Sequence, residues 1–247
     1  FPYCMRVFDL YSSKPLMKPW FISLFNAPKL LYTQTKPNYL MKAILLYSGG
    51  KDSTLVAHLL KLLGYEFKCV TANFGVVPDC VKVAEGVAKT LGFEHEILQM
   101  PREVIEKGVD MCLEAGYGRP GINYIHHAVL ESTCEKYGKD FPIIADGGRR
   151  DDKTPKMKYP EIQSLENRHK IQYFCPLNGF PHATIKYLTD KLFEIKSIRA
   201  GEVPTSEYET EMREILRVRG EDPAKIFPLH HTHTIVEGYK NDSKKTP

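Results

Sequence analysis

The sequence predicts an α/β protein built on a doubly wound parallel sheet. Three observations predict it. Short apolar runs alternate with segments of helical period along most of the chain. A Gly-rich turn, Ser48-Gly49-Gly50-Lys51-Asp52-Ser53-Thr54, joins the first apolar run to the first helical segment. A second Gly-rich block, Asp146-Gly147-Gly148-Arg149-Arg150-Asp151-Asp152-Lys153, comes directly after a later apolar run. In open sheets of this class ligands bind at the carboxyl ends of strands. Both blocks therefore fall where chemistry is expected.

Residues 1–40 differ in character from the remainder of the chain. They are aromatic, and Pro2, Pro15, Pro19, Pro28 and Pro37 interrupt every candidate helix. They read as an upstream extension or a peripheral segment ahead of Met41-Lys42, with a lid role as the functional reading. No long apolar core with a small-residue cleavage site marks a signal peptide. Residues 42–47 form the first strand and 52–63 its helix, stopped by Gly64. Phe67-Lys68-Cys69-Val70-Thr71-Ala72-Asn73 is the second strand. The helix over 78–91 aligns Val81, Ala84, Ala88 and Leu91 on one face, and Gly92 closes it. Residues 94–98 are the third strand, with helices over about 101–115 and 122–137. Phe141-Pro142-Ile143-Ile144-Ala145 is a short buried strand, with a polar loop after it to about Glu166. Residues 171–174 make a last strand and 185–195 a helix. Beyond about 199, Glu209 and Arg213 pair at i,i+4 on a charged helical face. This piece is expected as a small C-terminal helical appendage with a polar tail from Lys240. The domain boundaries so read are 1–40, 41–198 and 199–247.

Composition narrows the class. A chain of 247 residues with 43% apolar content fits one globular domain with extensions. Of 34 basic and 30 acidic residues, 5 and 1 fall in residues 1–40, which leaves 29 of each beyond. The net charge of +4 thus belongs to the first segment, and the rest does not demand a polyanionic partner. Cysteines 4, 69, 80, 112, 134 and 175 show no C-x-x-C spacing, against a secreted disulfide framework or a zinc ribbon. A reducing, cytoplasmic setting is expected. No apolar run approaches membrane-spanning length.

The turn at 48–54 suits an anion. Strand, Gly-rich turn and helix aim backbone N–H groups and a positive helix end at one point. Adjacent glycines let the backbone approach a phosphate closely. Ser48, Ser53 and Thr54 add hydroxyls, and Lys51 adds a mobile charge. The spacing is neither a Walker A loop nor a Rossmann turn. It is S-G-G-x-D-S, and on that motif the chain resembles the PP-loop ATP pyrophosphatases. Relatives in that superfamily include asparagine synthetase, GMP synthetase, NAD synthetase, 7-cyano-7-deazaguanine synthase, lysidine synthetase, diphthamide ammonia ligase and the tRNA-thiolating enzymes. The resemblance spans about 42–195 and implies a sheet of the adenine nucleotide alpha hydrolase (HUP) type.

The resemblance also implies a chemistry. Ser48, Gly49, Gly50, Lys51, Asp52, Ser53 and Thr54 would hold the β- and γ-phosphates of ATP. Cleavage would fall between the α- and β-phosphates, with adenylation of a carbonyl or carboxylate oxygen and release of pyrophosphate. A nitrogen or sulfur nucleophile, supplied free or by a partner protein, would then displace AMP. Ala72, Asn73 and Phe74, beside Thr71 at the second strand's end, would face the adenine. The block at 146–153 has carboxylates suited to Mg²⁺ and guanidiniums suited to phosphate oxygens. Asp146, Gly147 and Gly148 resemble the family's acidic Gly-rich motif, with Asp52 and Asp146 as metal carboxylates and Arg149 toward pyrophosphate. Lys51, Asp52, Asp146 and Arg149 are thus the expected catalytic set. Ser164, Glu166 and Arg168 are candidates for the acceptor substrate, or else surface residues capping a turn. Other readings stay open: a non-catalytic nucleotide module, and a tRNA-directed thiolating or lysidine-type enzyme. A homodimer is a further expectation.

Two features carry less. His231 and His233 would share one strand face, but two histidines fall short of a catalytic zinc set. Cys80 and Cys175 are the pair that could meet at the sheet edge for sulfur chemistry, but nothing in their spacing requires it, and a buried free cysteine is the commoner state.

Overall fold

The computed structural model describes residues 41–199, 202–228 and 232–240. The segment 1–40, read as an extension or lid, lies outside the described residues, as does His231. The elements run β1 (Lys42–Leu46), α1 (Lys51–Leu62), β2 (Glu66–Asn73), α2 (Lys82–Leu91), β3 (His95–Gln99), α3 (Arg102–Ala115) and α4 (Arg119–Tyr137). Then come β4 (Ile143–Ala145), α5 (Tyr159–His169), β5 (Gln172–Phe174), α6 (His182–Leu192), β6 (Phe193–Arg199), α7 (Tyr208–Val218) and β7 (Thr232–Tyr239).

Five strands form one sheet in the order β3-β2-β1-β4-β5, and every pairing is parallel. This is the α/β architecture with a parallel sheet that the sequence predicts. β1 sits in the middle, with Ala43, Ile44 and Leu45 inaccessible to solvent. A strand covered on both faces is apolar throughout, which is why it reads as an unbroken run. One face packs Ile44, Val70, Leu98 and Ile144 against Ile105, Ile125, Val129 and Met212 of α3, α4 and α7. The other packs Ala43, Leu45 and Ala145 against Leu55, Leu60 and Ala84 of α1 and α2, with Phe193 and Val236. Each fully buried Leu or Ile contributes about 1.5–3 kcal/mol. From β1 the chain winds outward through β2 and β3, then returns to place β4 on β1's other side. The loops after β1 and β4 therefore open side by side at the sheet's carboxyl edge, which is the switch point of the fold.

Two elements differ from the sequence reading. The helix expected over 185–195 stops at Leu192, and Phe193–Arg199 continues as β6, antiparallel to β7. Its partner strand begins 33 residues after β6 ends, so no local pattern reveals it. The polar loop expected to about Glu166 contains α5 from Tyr159. Pro160 in its first turn and a Glu161 carboxylate accepting from Lys158 N–H at 2.6 Å explain its start. The C-terminal helix α7 inserts Met212, Ile215 and Leu216 into the core beside α3. Among the described residues no helix is long and apolar enough to cross a membrane.

Candidate functional site

The turn after β1 is shaped by two glycines. Gly49 lies at φ +74°, and a Cβ there would sit 3.1 Å from Ala84 Cα. Gly50 is the N-cap of α1, and its Cβ would meet Ser48 Oγ at 3.2 Å and the Thr234 carbonyl oxygen at 3.3 Å. Any other residue would crowd the turn. The N–H groups of Lys51, Asp52 and Ser53 have no acceptors within the helix. Lys51 N–H donates to Thr234 Oγ1 at 3.3 Å, while Gly50 N–H donates to Ser48 Oγ at 3.3 Å and Ser48 N–H to Ser53 Oγ at 3.4 Å. These lengths lie beyond the usual range for N–H···O bonds. The turn is a cluster of donors and hydroxyls, loosely satisfied, at a positive helix end.

Asp52 gives the turn a half-paired charge. Its Oδ2 meets Lys51 Nζ at 3.1 Å and Arg149 Nη1 at 3.4 Å. Its Oδ1 is buried with no hydrogen-bond partner. A buried carboxylate oxygen without a donor costs about 1–3 kcal/mol or more, which a cation would relieve. A magnesium ion fits there only together with phosphate oxygens, since no preformed group of three His, Cys, Asp or Glu ligands exists among the described residues.

The turn after β4 is locked against the first. A Cβ on Gly147 would lie 2.9 Å from Ser53 N and 3.0 Å from Ser53 Cα, both backbone atoms, so only glycine allows this approach. Arg149 is held by Asp152 through Nε at 3.0 Å and Nη2 at 2.7 Å, while its own N–H donates to Asp152 Oδ2 at 2.7 Å. The guanidinium thereby stays beside Asp52. Asp146 is buried at the end of β4. It accepts from Gly148 N–H at 2.9 Å, Cys175 Sγ at 3.1 Å and Tyr173 Oη, and it pairs with His126 Nε2 at 3.1 Å. Burial pushes its carboxyl up, but the His126 hydrogen bond and charge, with Tyr173 and Cys175, outweigh burial and hold it at about 2. His126 in turn meets Tyr208 Oη at 3.3 Å, linking α4 to α7.

The end of β2 is closed by the C-terminal segment. Glu211, 2% exposed, accepts from the N–H groups of Phe74 at 3.2 Å, Val76 at 2.8 Å and Val77 at 3.4 Å. Burial raises its pKa, only partly offset by these three donors. Ser206 Oγ accepts from Ala84 N–H at 3.0 Å and donates to Cys80 O at 2.6 Å.

The structure brings Ser48, Gly49, Gly50, Lys51, Asp52, Ser53, Gly147, Gly148 and Arg149 to one place. It assigns other expected residues elsewhere. Thr54 is fully buried, its hydroxyl 3.1 Å from Tyr47 Oη, so it is a core residue and not a phosphate donor in this conformation. Phe74 packs in the core and its N–H is taken by Glu211, so neither is offered to a base. Asn73 is buried, with Oδ1 accepting from Gly75 N–H at 3.0 Å, and half-buried Ala72 lies beside it on β2. Asp146 has both oxygens engaged by protein groups, which corrects its reading as an open metal carboxylate. Ser164 and Arg168 lie on α5, where Arg168 pairs with Glu131 and donates to Ser164 Oγ at 3.3 Å. Glu166 accepts from Tyr173 N–H at 2.9 Å and so fastens α5 to β5. Cys80 and Cys175 take different partners, and burial pushes both thiols up, Cys80 to about 12. His233 pairs with Glu207 at 2.5 Å. Sequence reasoning gives His126, Glu211 and Thr234 no role in this site, since each acts on a residue remote in the chain.

Relatives named 7-cyano-7-deazaguanine synthase, argininosuccinate synthase and tRNA-specific 2-thiouridylase assign the chain to the PP-loop ATP pyrophosphatase superfamily. Within it, the chain belongs to DUF7411, a family of unknown function whose model matches residues 41–238. It is 47% identical over 203 residues to the uncharacterized protein MJ0690 of Methanocaldococcus jannaschii, covering 82% of this chain and 98% of that one. A crystal structure described as a predicted subunit of tRNA methyltransferase, from the same organism, superposes with a TM-score of 0.74 at 46% identity, covering 82% of this chain and 99% of that one. The 7-cyano-7-deazaguanine synthase of that organism is 40% identical over 63 residues, or 25% of this chain and 27% of the synthase.

Proposed function

We propose that the protein is an ATP-dependent enzyme that adenylates an oxygen of its acceptor and releases pyrophosphate. The observation that carries this reading is the junction at Gly147, where the β4 turn touches the backbone of the β1 turn and sets Arg149 beside Asp52. Ser48, Gly50 and Ser53 offer hydroxyl and N–H donors to the β- and γ-phosphates. Lys51 and Arg149 face the charge that develops on pyrophosphate as the α–β bond breaks. Because Arg149 is pinned by Asp152, it needs no reorganisation in the transition state. Mg²⁺, held by Asp52 Oδ1 and phosphate oxygens, would supply further neutralisation of that charge. The acceptor oxygen attacks the α-phosphorus, and a nitrogen or sulfur nucleophile then displaces AMP. Cys175 does not serve as that nucleophile in this state, because burial and Asp146 favour the neutral thiol.

A tRNA acceptor is the favoured substrate class. Arg150, Lys153, Lys156 and Lys158 are exposed in the segment after Arg149 and would meet a polyanion approaching the site. The solved relative is described as a predicted subunit of tRNA methyltransferase, which supports a tRNA-directed reading. Incubation with α-³²P-labelled ATP, Mg²⁺, bulk tRNA and ammonia or a sulfur donor tests the proposal. Label should appear in AMP, and label in ADP would overturn it.

A further inference from the structure

The β6–β7 hairpin lies against the phosphate turn, and its contacts there are specific. Thr234 Oγ1 accepts from Lys51 N–H at 3.3 Å. Two residues on, Val236 N–H donates to Gly49 O at 3.2 Å. Gly50 has room for the Thr234 carbonyl because it lacks a Cβ. The hairpin is anchored at its other end. His58 of α1 stands between Phe193 and Tyr239, with ring centroids 6.1 Å and 5.6 Å away, and its Nδ1 is 3.2 Å from Tyr239 Oη. Val236 is buried in the core between these ends. A strand tethered at both ends is a wall of the site.

Thr234 is half-buried, so a ligand in the turn can reach it. A hydroxyl has one proton to give and two lone pairs to accept with. Because Thr234 Oγ1 accepts from Lys51 N–H, its proton is left to point at whatever anion occupies the turn. From this geometry we infer that Thr234 is a phosphate-binding residue, passing the hydrogen bond of the Lys51 amide on to the β- and γ-phosphates. The cradle is thus completed by a residue 183 positions beyond Lys51. This inference rests on the nucleotide reading above.

Equilibrium binding of MgATP, inorganic pyrophosphate and AMP to the full chain tests it. Thr234→Val keeps the shape and removes the hydroxyl. It should weaken MgATP and pyrophosphate about tenfold or more, the worth of one hydrogen bond to a charged group. AMP, which lacks the β- and γ-phosphates, should bind within about twofold of the unmodified chain, and Thr234→Ser should restore MgATP binding. A merely structural Thr234 would weaken all three ligands together, which would overturn the inference, as would unchanged MgATP binding by T234V. Should T234V fail to fold, the Thr234 methyl resonance of the unmodified chain serves instead. It should shift with pyrophosphate and stay fixed with AMP, and the absence of a shift would overturn the inference. If the unmodified chain binds neither MgATP nor pyrophosphate, the nucleotide reading itself falls and this inference with it. Binding there with T234V unaffected removes only the role of Thr234.

Discussion

The turn after β1 and the turn after β4 emerge side by side from one sheet edge, yet their polar groups are in opposite states. In the first, amide donors reach acceptors only at 3.3–3.4 Å and Asp52 Oδ1 is buried without a partner. In the second, Asp146 is surrounded by His126, Tyr173, Cys175 and the Gly148 amide. Both have an Asp next to glycine or serine in a charged stretch, and by sequence they look like equal partners in holding a metal. The difference teaches which turn keeps spare hydrogen-bonding capacity and which is closed by protein groups. Asp52 Oδ2 is paired with Lys51 and Arg149, and the buried Oδ1 is the acceptor left to be satisfied.

The largest effect should come from opening the closed turn. Asp146→Ala leaves the buried His126 and the half-buried Tyr173 without their shared acceptor and should cost about 3–5 kcal/mol of stability. A urea titration checks this, and a variant as stable as the parent would mean Asp146 does not hold the second turn closed. Asp52→Ala should act the other way round, lowering AMP formation about a hundredfold or more while melting within a few degrees of the parent. Parental turnover in that variant would erase the distinction between the turns.

Acid titration sharpens the contrast. The Asp146 carboxyl sits at about 2 in the folded chain against an ordinary 3.8. Its contribution to stability is complete above about pH 4 and is lost as pH falls toward 2, because the unfolded chain takes up the proton first. The difference corresponds to about 2 kcal/mol. Urea midpoints between pH 4 and pH 2 should therefore fall less steeply in Asp146→Asn than in the parent. Glu96, also held at about 2 through Lys136 and Tyr137, contributes to both proteins alike and cancels in the comparison. Equal slopes would contradict the assignment. The smallest effect belongs to α5. Arg168→Ala removes an exposed pair with Glu131 and should change stability by less than about 1 kcal/mol and AMP formation by less than about twofold.

These results would also show why one turn was legible in the sequence and the other only half so. The β1 turn is local. Its strand, its two glycines and the helix behind it lie within about twenty residues, and Gly49's left-handed backbone is what a glycine there announces. The position of Asp146 after a buried strand was equally readable, and so was the closeness of the two turns once a parallel sheet was inferred. The state of Asp146 was not, because it depends on His126 from α4 and Tyr173 from β5. Glu211 and Thr234 reach the site across 137 and 183 residues, and no periodicity in their own segments points there. Helix α5 was obscured by its polar composition, although Pro160 and Glu161 mark its start.

The central claim is that the β1 turn cradles a triphosphate. A crystal of the protein soaked with MgATP tests it most directly. The β- and γ-phosphates should lie within hydrogen-bond reach of Ser48 Oγ, Gly50 N and Ser53 Oγ, with the cation on Asp52 Oδ1. Triphosphate bound elsewhere, with that turn empty, would contradict the account.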